Sequence, residues 1–153
     1  LSLSSEKFYF HSILNDEMNT SFSFSPIMLG NFHCVVFTKD CYDHRHSIID
    51  ALYDLYNPVP NISFILNLDR FIKKKDNYIE LKVYERGAGW TSSCGSGASA
   101  TAAFIFNYSR ILDTIINRVS VEQDGGILEI NYDDDTLYLS GPTSFDYEGI
   151  WND

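Results

Sequence analysis

Cysteine is scarce in this chain: Cys34, Cys41 and Cys94 are the three among 153 residues. An odd number without framework spacing fits a reducing compartment better than a disulfide scaffold. Cations are also few. Eleven Lys and Arg stand against 21 Asp and Glu, a net charge of -10, which argues against nucleic acid or an anionic membrane surface as a partner. No apolar run approaches the ~20 residues of a transmembrane helix, and no signal-peptide pattern opens the chain, so the cytoplasm is the expected location. Internal repeats and low-complexity segments are absent. The one cationic cluster, Arg70 to Lys75, reads as a solvated loop face. The acidic triplet Asp133-Asp134-Asp135 lacks EF-hand spacing and reads as a solvated turn, so no metal site is expected.

What is present is a core. With 44% hydrophobic and 15% aromatic residues, the chain can bury a real interior as one globular domain. Phe32 to Thr38 reads as a strand, and Asp43 to Tyr56 as an amphipathic helix with Ile48, Leu52, Leu55 and Tyr56 on one stripe, ended by Pro58 and Pro60. Asn61 to Leu68 and Tyr78 to Glu85 read as strands joined by a Lys-rich turn. A helix over Gly95 to Tyr108 follows, extended or continued through Arg110 to Ile116. Arg118 to Gln123 and Ile127 to Tyr132 flank Asp124-Gly125-Gly126, a hairpin signal, and Thr136 to Ser140 pairs next.

The most informative stretch runs from Tyr84 to Ala100. A period-two strand leads into a Gly-rich turn, and the small apolar run Ala98 to Phe106 opens a buried helix, so Cys94 stands at a strand-to-helix junction. The first N–H groups of a helix lack intrahelical partners and carry the positive end of its dipole. Gly95, Ser96 and Gly97 can therefore hold a carboxylate, while Cys94 is biased toward thiolate and can act as a base. The residues alone leave a second reading open, a plain turn beside a free cysteine buried as a small hydrophobe.

Glu85-Arg86-Gly87-Ala88-Gly89 followed by Ser93-Cys94-Gly95-Ser96-Gly97-Ala98 resembles the C-terminal catalytic signature of the diaminopimelate epimerases, cofactor-independent amino-acid epimerases of lysine and cell-wall biosynthesis. Gly30-Asn31-Phe32-His33 with Val35 and Val36, Asn61-Ile62-Ser63-Phe64, the Gly125-Gly126 turn and Leu139-Ser140-Gly141-Pro142 agree in order and spacing. The resemblance covers about Leu29 to Ile150. It implies an α+β fold in which a largely antiparallel sheet curls around one central helix, one half of a pseudo-symmetric enzyme. Residues 1–26 are then expected to be the tail of a preceding segment or a linker, and 27–153 the C-terminal domain.

The resemblance also implies roles. Cys94 would be one of two acid/base thiols working on opposite faces of the α-carbon, with Glu85 assisting it and His33 assisting the cysteine of the other half. Gly95 and Ser96 would donate N–H groups to the α-carboxylate. Arg86, Asn31 and Asn61 would recognise the distal charged end of diaminopimelate, and an arginine fork matches a carboxylate bidentately. No cofactor is implied. The second cysteine has no counterpart here, since Cys34 and Cys41 lack following glycines. The chain also begins with Leu, as a fragment would. One thiol cannot invert a centre, so an isomerase half inactive alone is the expectation, with the N-terminal half as partner and a homodimer left open. Proline racemases and phenazine-pathway isomerases share the implied fold, but Arg86 and the two asparagines favour a substrate with a second charged end.

A different class remains open: a non-catalytic domain that keeps the fold and binds a small molecule or a protein. Singly, Asn31, Asn61 and Glu85 read as turn or surface residues; together with Cys94 and in family order they read as a site. Phe32 stands where the family usually has proline, Trp90 where it has glutamate, Ser99 where cysteine and Ser96 where threonine are frequent. Trp151 reads as a packing residue.

Overall fold

The computed structural model describes residues 11–15, 20–74, 77–112 and 114–150. Its strands are β1 (His11–Asn15), β2 (Thr20–Leu29), β3 (Asn31–Val36), β4 (Asn61–Ile65), β5 (Tyr78–Glu85), β6 (Gly89–Thr91), β7 (Arg118–Gln123), β8 (Gly126–Asp133) and β9 (Thr136–Ser140). Its helices are α1 (Arg45–Leu55), α2 (Leu68–Lys74) and α3 (Gly95–Ile111). The strands form one sheet in the order β1-β2-β3-β4-β5-β7-β8-β9, with β6 folded back on β5. Only β3 with β4 and β5 with β7 pair in parallel; every other pair is antiparallel.

The sheet curls around α3, which touches β2, β3 and β4 on one side and β7, β8 and β9 on the other. This enclosure is what the small residues of α3 permit. Gly97, Ala98, Ala100, Thr101, Ala102 and Ala103 are all buried, around every side of the helix. Larger side chains there would hold the strands off, whereas Phe104, Ile105 and Phe106 fill the wider space further along.

Strand periodicity sorts the rest into two layers. Ile27, Val35, Ile65, Leu81 and Val83 point inward to α3. Phe22, Phe24, Cys34, Val36, Ile62 and Phe64 point outward to Ile48, Ile49 and Leu52 of α1. Tyr42, Tyr84 and Trp90 extend the outer layer with edge-on ring contacts. The α+β architecture with a central helix is therefore as expected.

Among the described residues, β1 and most of β2 lie before position 27, with Phe22 and Phe24 fully buried, and the 26/27 boundary falls inside β2. Several expectations are corrected. The strand expected through Leu68 ends at Ile65, and α2 replaces the Lys-rich turn, anchored by buried Phe71. On α1, Leu55 is half-exposed and Ile49 takes its place in the core. The start of α1 falls at Arg45 because residues 39–44 form successive turns. Residues 114–117 are irregular rather than helical. Trp151 lies outside the described residues.

Candidate active site

Alternation carries the candidate residues to one place. In β3, Asn31 and His33 share the inward face with Val35; in β4, Asn61 and Ser63 share it with Ile65; in β5, Glu85 continues the row of Leu81 and Val83. Register then aligns them, Ile27 opposite His33 and His33 beside Asn61. The β2–β3 reversal is made at Gly30 alone, whose φ of 75° a side chain would disfavour.

His33 is fully buried, and its Nε2 lies 2.7 Å from Asn31 Oδ1. A carboxamide oxygen only accepts, so with that assignment Nε2 carries the proton and Nδ1 holds a lone pair. Nδ1 is buried without a hydrogen-bond partner. Burial lowers the pKa of the imidazole to about 4 against the opposing pull of the Glu85 carboxylate, so His33 is neutral at physiological pH. Glu85 accepts a 2.6 Å bond from Thr91 Oγ1 across the β5–β6 hairpin rather than a bond from Cys94. Asn61 accepts the Arg86 N–H at 2.8 Å, fixing the backbone where β5 leaves the sheet. The Arg86 guanidinium is exposed, with Nη1 3.4 Å from the Val59 carbonyl.

Cys94 is the N-cap of α3, in extended conformation, and its Sγ accepts the Gly97 N–H at 3.3 Å. Ser96 Oγ lies 3.5 Å from the same sulfur. A cap normally uses an oxygen; here a sulfur occupies that place at the positive end of a 17-residue helix. Gly97 is required by space. A Cβ there would stand 3.2 Å from Val83 Cγ2 and 3.3 Å from both Cys94 Sγ and Ser63 Oγ. Cys34 and Cys41 differ: both are in the outer layer, and burial pushes each thiol up to about 12.

The structure thus brings Asn31, His33, Asn61, Glu85 and the Arg86 backbone into one cluster, and Cys94, Gly95 and Ser96 into a second at the helix start, with Ser63 bordering Gly97 between them. Sequence reasoning missed Ser63, Thr91 and Gln123. Gln123 is buried, and its amide meets the Cys94 peptide twice, accepting from the N–H at 2.7 Å and donating to the carbonyl at 3.2 Å. Its signal was available: a polar residue on the buried parity of β7, in line with Val119 and Val121. Phe32 and Trp90, the two departures nearest the site loops, point to the outer layer, Phe32 against Tyr56 and Trp90 against Tyr84.

A sheet wrapped on a buried helix thus carries a thiol that caps the helix and a buried neutral histidine on one of its strands. The family profile described as Diaminopimelate epimerase matches residues 26–145. The diaminopimelate epimerase of Desulforudis audaxviator is 31% identical over 141 residues, 89% of this chain and 47% of that protein. That of Methanococcus maripaludis is 27% identical over 149 residues, 91% of this chain and 50% of its own length. A crystal structure of the Bacillus anthracis phenazine biosynthesis protein, of the PhzF family, aligns over 77% of this chain and 38% of its own at TM-score 0.47 and 17% identity. The chain belongs to the diaminopimelate epimerase family. It spans about half the length of the curated relatives it matches.

Proposed function

We propose that this chain is the C-terminal half of a cofactor-independent epimerase that interconverts LL- and meso-diaminopimelate in the cytoplasm, using Cys94 as one of two acid/base thiols. The observation that carries the reading is the placing of Cys94 as the sulfur cap of α3, with N–H groups of the same turn beside it. The Cys94 thiolate takes the α-proton from one face. The electron pair left on the α-carbon spreads into the carboxylate, which the amides of Gly95 and Ser96 hold at the helix start. A thiol of the N-terminal half returns its proton to the opposite face, and the reverse reaction resets both sulfurs.

Neutral His33, its lone pair on Nδ1, assists that second thiol; Glu85 assists Cys94; Arg86, Asn31 and Asn61 engage the distal charged end. Cys34 and Cys41 support the half-enzyme reading, since thiols at about 12 and outer-layer positions unfit them for proton transfer. This chain alone is then inactive.

The test is α-proton exchange and inversion of LL-diaminopimelate in D2O, followed by mass spectrometry and chiral chromatography, with the complete protein that carries this chain. Cys94→Ala is expected to lower turnover at least about 10⁴-fold with an unchanged circular dichroism spectrum. Full activity in that variant refutes the role of Cys94. Inversion by the isolated 153-residue chain refutes the half-enzyme reading.

A further inference from the structure

The Cys94 peptide is gripped from outside its own element. As N-cap, Cys94 has no helical partner for its N–H, and its carbonyl takes the Ala98 N–H at 2.9 Å. Gln123 closes both positions with one side chain, Oε1 on the N–H and Nε2 on the carbonyl. The same hairpin holds the two preceding residues. Gly125 N–H donates to the Ser92 carbonyl at 2.7 Å, and a Cβ on Gly125 would fall 3.0 Å from that oxygen and 3.1 Å from Ser93 Cβ. The β7–β8 turn therefore seats Ser92, Ser93 and Cys94 in succession.

We infer that Gln123 is a positioning residue for Cys94: by fixing both polar groups of its peptide it fixes the direction of the Cα–Cβ bond, and so keeps Sγ on the Gly97 N–H. The inference deepens the reading of Cys94 as the acid/base thiol and rests on it for its catalytic consequence. The geometry explains the choice of residue. A carboxamide carries one acceptor and one donor side by side, the complement of one N–H and one C=O. A carboxylate would accept from the N–H but set a charged oxygen against the carbonyl, and an apolar side chain would leave both peptide groups with one partner fewer.

The experiment is the pH–rate profile of iodoacetamide alkylation at Cys94, read by peptide mass spectrometry on the full chain, for the native protein, Gln123→Met and Gln123→Glu. Cys34 and Cys41 serve as internal controls, since general loosening of the fold labels all three cysteines together. The expected result is a displaced Cys94 profile in both variants, as Sγ leaves the Gly97 N–H, with Cys34 and Cys41 still protected. A Cys94 profile within about 0.2 unit of the native one in either folded variant overturns the inference; so does a change in Cys94 only in step with Cys34 and Cys41. Should Gln123→Met fail to fold, the neutral Gln123→Leu decides in its place, since the carboxylate of Gln123→Glu also acts on the thiol by its charge. Alkylation does not depend on substrate, so failure here is distinct from failure of the epimerase reading, which the Cys94→Ala turnover measures. If both readings hold, Gln123→Glu in the complete protein lowers kcat roughly tenfold or more with little change in KM, the mark of a displaced reacting group.

Discussion

The two faces of one sheet differ more than any two elements of the chain. Outward, β2, β3 and β4 present Phe22, Phe24, Cys34, Val36, Ile62 and Phe64 to α1, a layer rich in aromatic rings. Inward, the neighbouring residues of the same strands include Ser25, His33, Asn61 and Ser63, all buried, beside the small residues of α3. Ser25 Oγ, Ser63 Oγ, Thr101 Oγ1 and His33 Nδ1 lack hydrogen-bond partners, whereas among the described residues the only such atom belonging to the outer layer is Tyr53 OH. A folded chain seldom leaves buried polar atoms unpaired, because each costs about 1–3 kcal/mol. Both layers hold the sheet together, but the unpaired buried polar atoms gather on the inner one, the face on which the proposed site lies.

The comparison can be broken most forcefully from the outer side. Phe64→Ala removes a fully buried ring from that layer and is expected to lower stability by about 3–5 kcal/mol in urea unfolding. While the protein remains folded, the alkylation profile of Cys94 should not move; a shift in that profile would show that the layers are not separable.

From the inner side, His33 makes stability pH-dependent. Its folded pKa of about 4 lies below the unfolded value of 6.5, so the unfolded chain binds the extra proton between those values. Stability therefore falls as pH drops from 6.5 to about 4, by about 3 kcal/mol for this group alone. Urea titrations across that range should show the loss in the native chain and a slope reduced by that amount in His33→Gln. Equal slopes would mean that His33 is charged in the folded protein.

A sharper cut within the inner layer is Gly97→Ala, whose Cβ meets Val83, Ser63 and the Cys94 sulfur within 3.3 Å. It should destabilise by about 1–3 kcal/mol, and unlike Phe64→Ala it should alter Cys94 alkylation as well. The smallest effect belongs to the surface. The Lys82–Asp124 ion pair joins two partly exposed groups, so Asp124→Asn should shift the thermal midpoint by no more than ~1 kcal/mol equivalent.

Much of this division was legible in the sequence where local rules and tertiary packing agree. The alternation of Tyr78 to Glu85, the Asp124-Gly125 turn and the run of small residues after Cys94 specify β5, the β7–β8 hairpin and α3 without further context. The acidic triplet was read as a turn, and Asp134 and Asp135 adopt φ of 43° and 57°, the left-handed pair of a two-residue hairpin. The beginning of the chain was not legible. In Thr20–Leu29 serines separate the aromatic residues and Pro26 interrupts the donor pattern, so the strand forms through pairing with β3 rather than through its own propensity. Likewise α2 is short and Lys-rich, and burial of Phe71 stabilises it. At the candidate site, motif order singled out Cys94, His33 and Asn61, and strand pairing sets the last two side by side. Gln123 escaped because its partners are backbone atoms 29 residues away in sequence, which no local pattern records.

The sorting of side chains by parity also sets how such a protein can change length. Substitution at one position leaves every other residue on its own face, but a single residue inserted in β3 or β4 turns the rest of that strand over. Beyond the insertion, Cys34 and Val36 would then meet α3, while His33 or Asn61 would be driven among the rings around Phe64. Two inserted residues restore the faces at the expense of a step in register. Within these strands, tolerated length variation is therefore quantised in pairs, and single-residue changes are confined to the connections, where Gly30 alone has no spare residue to absorb one.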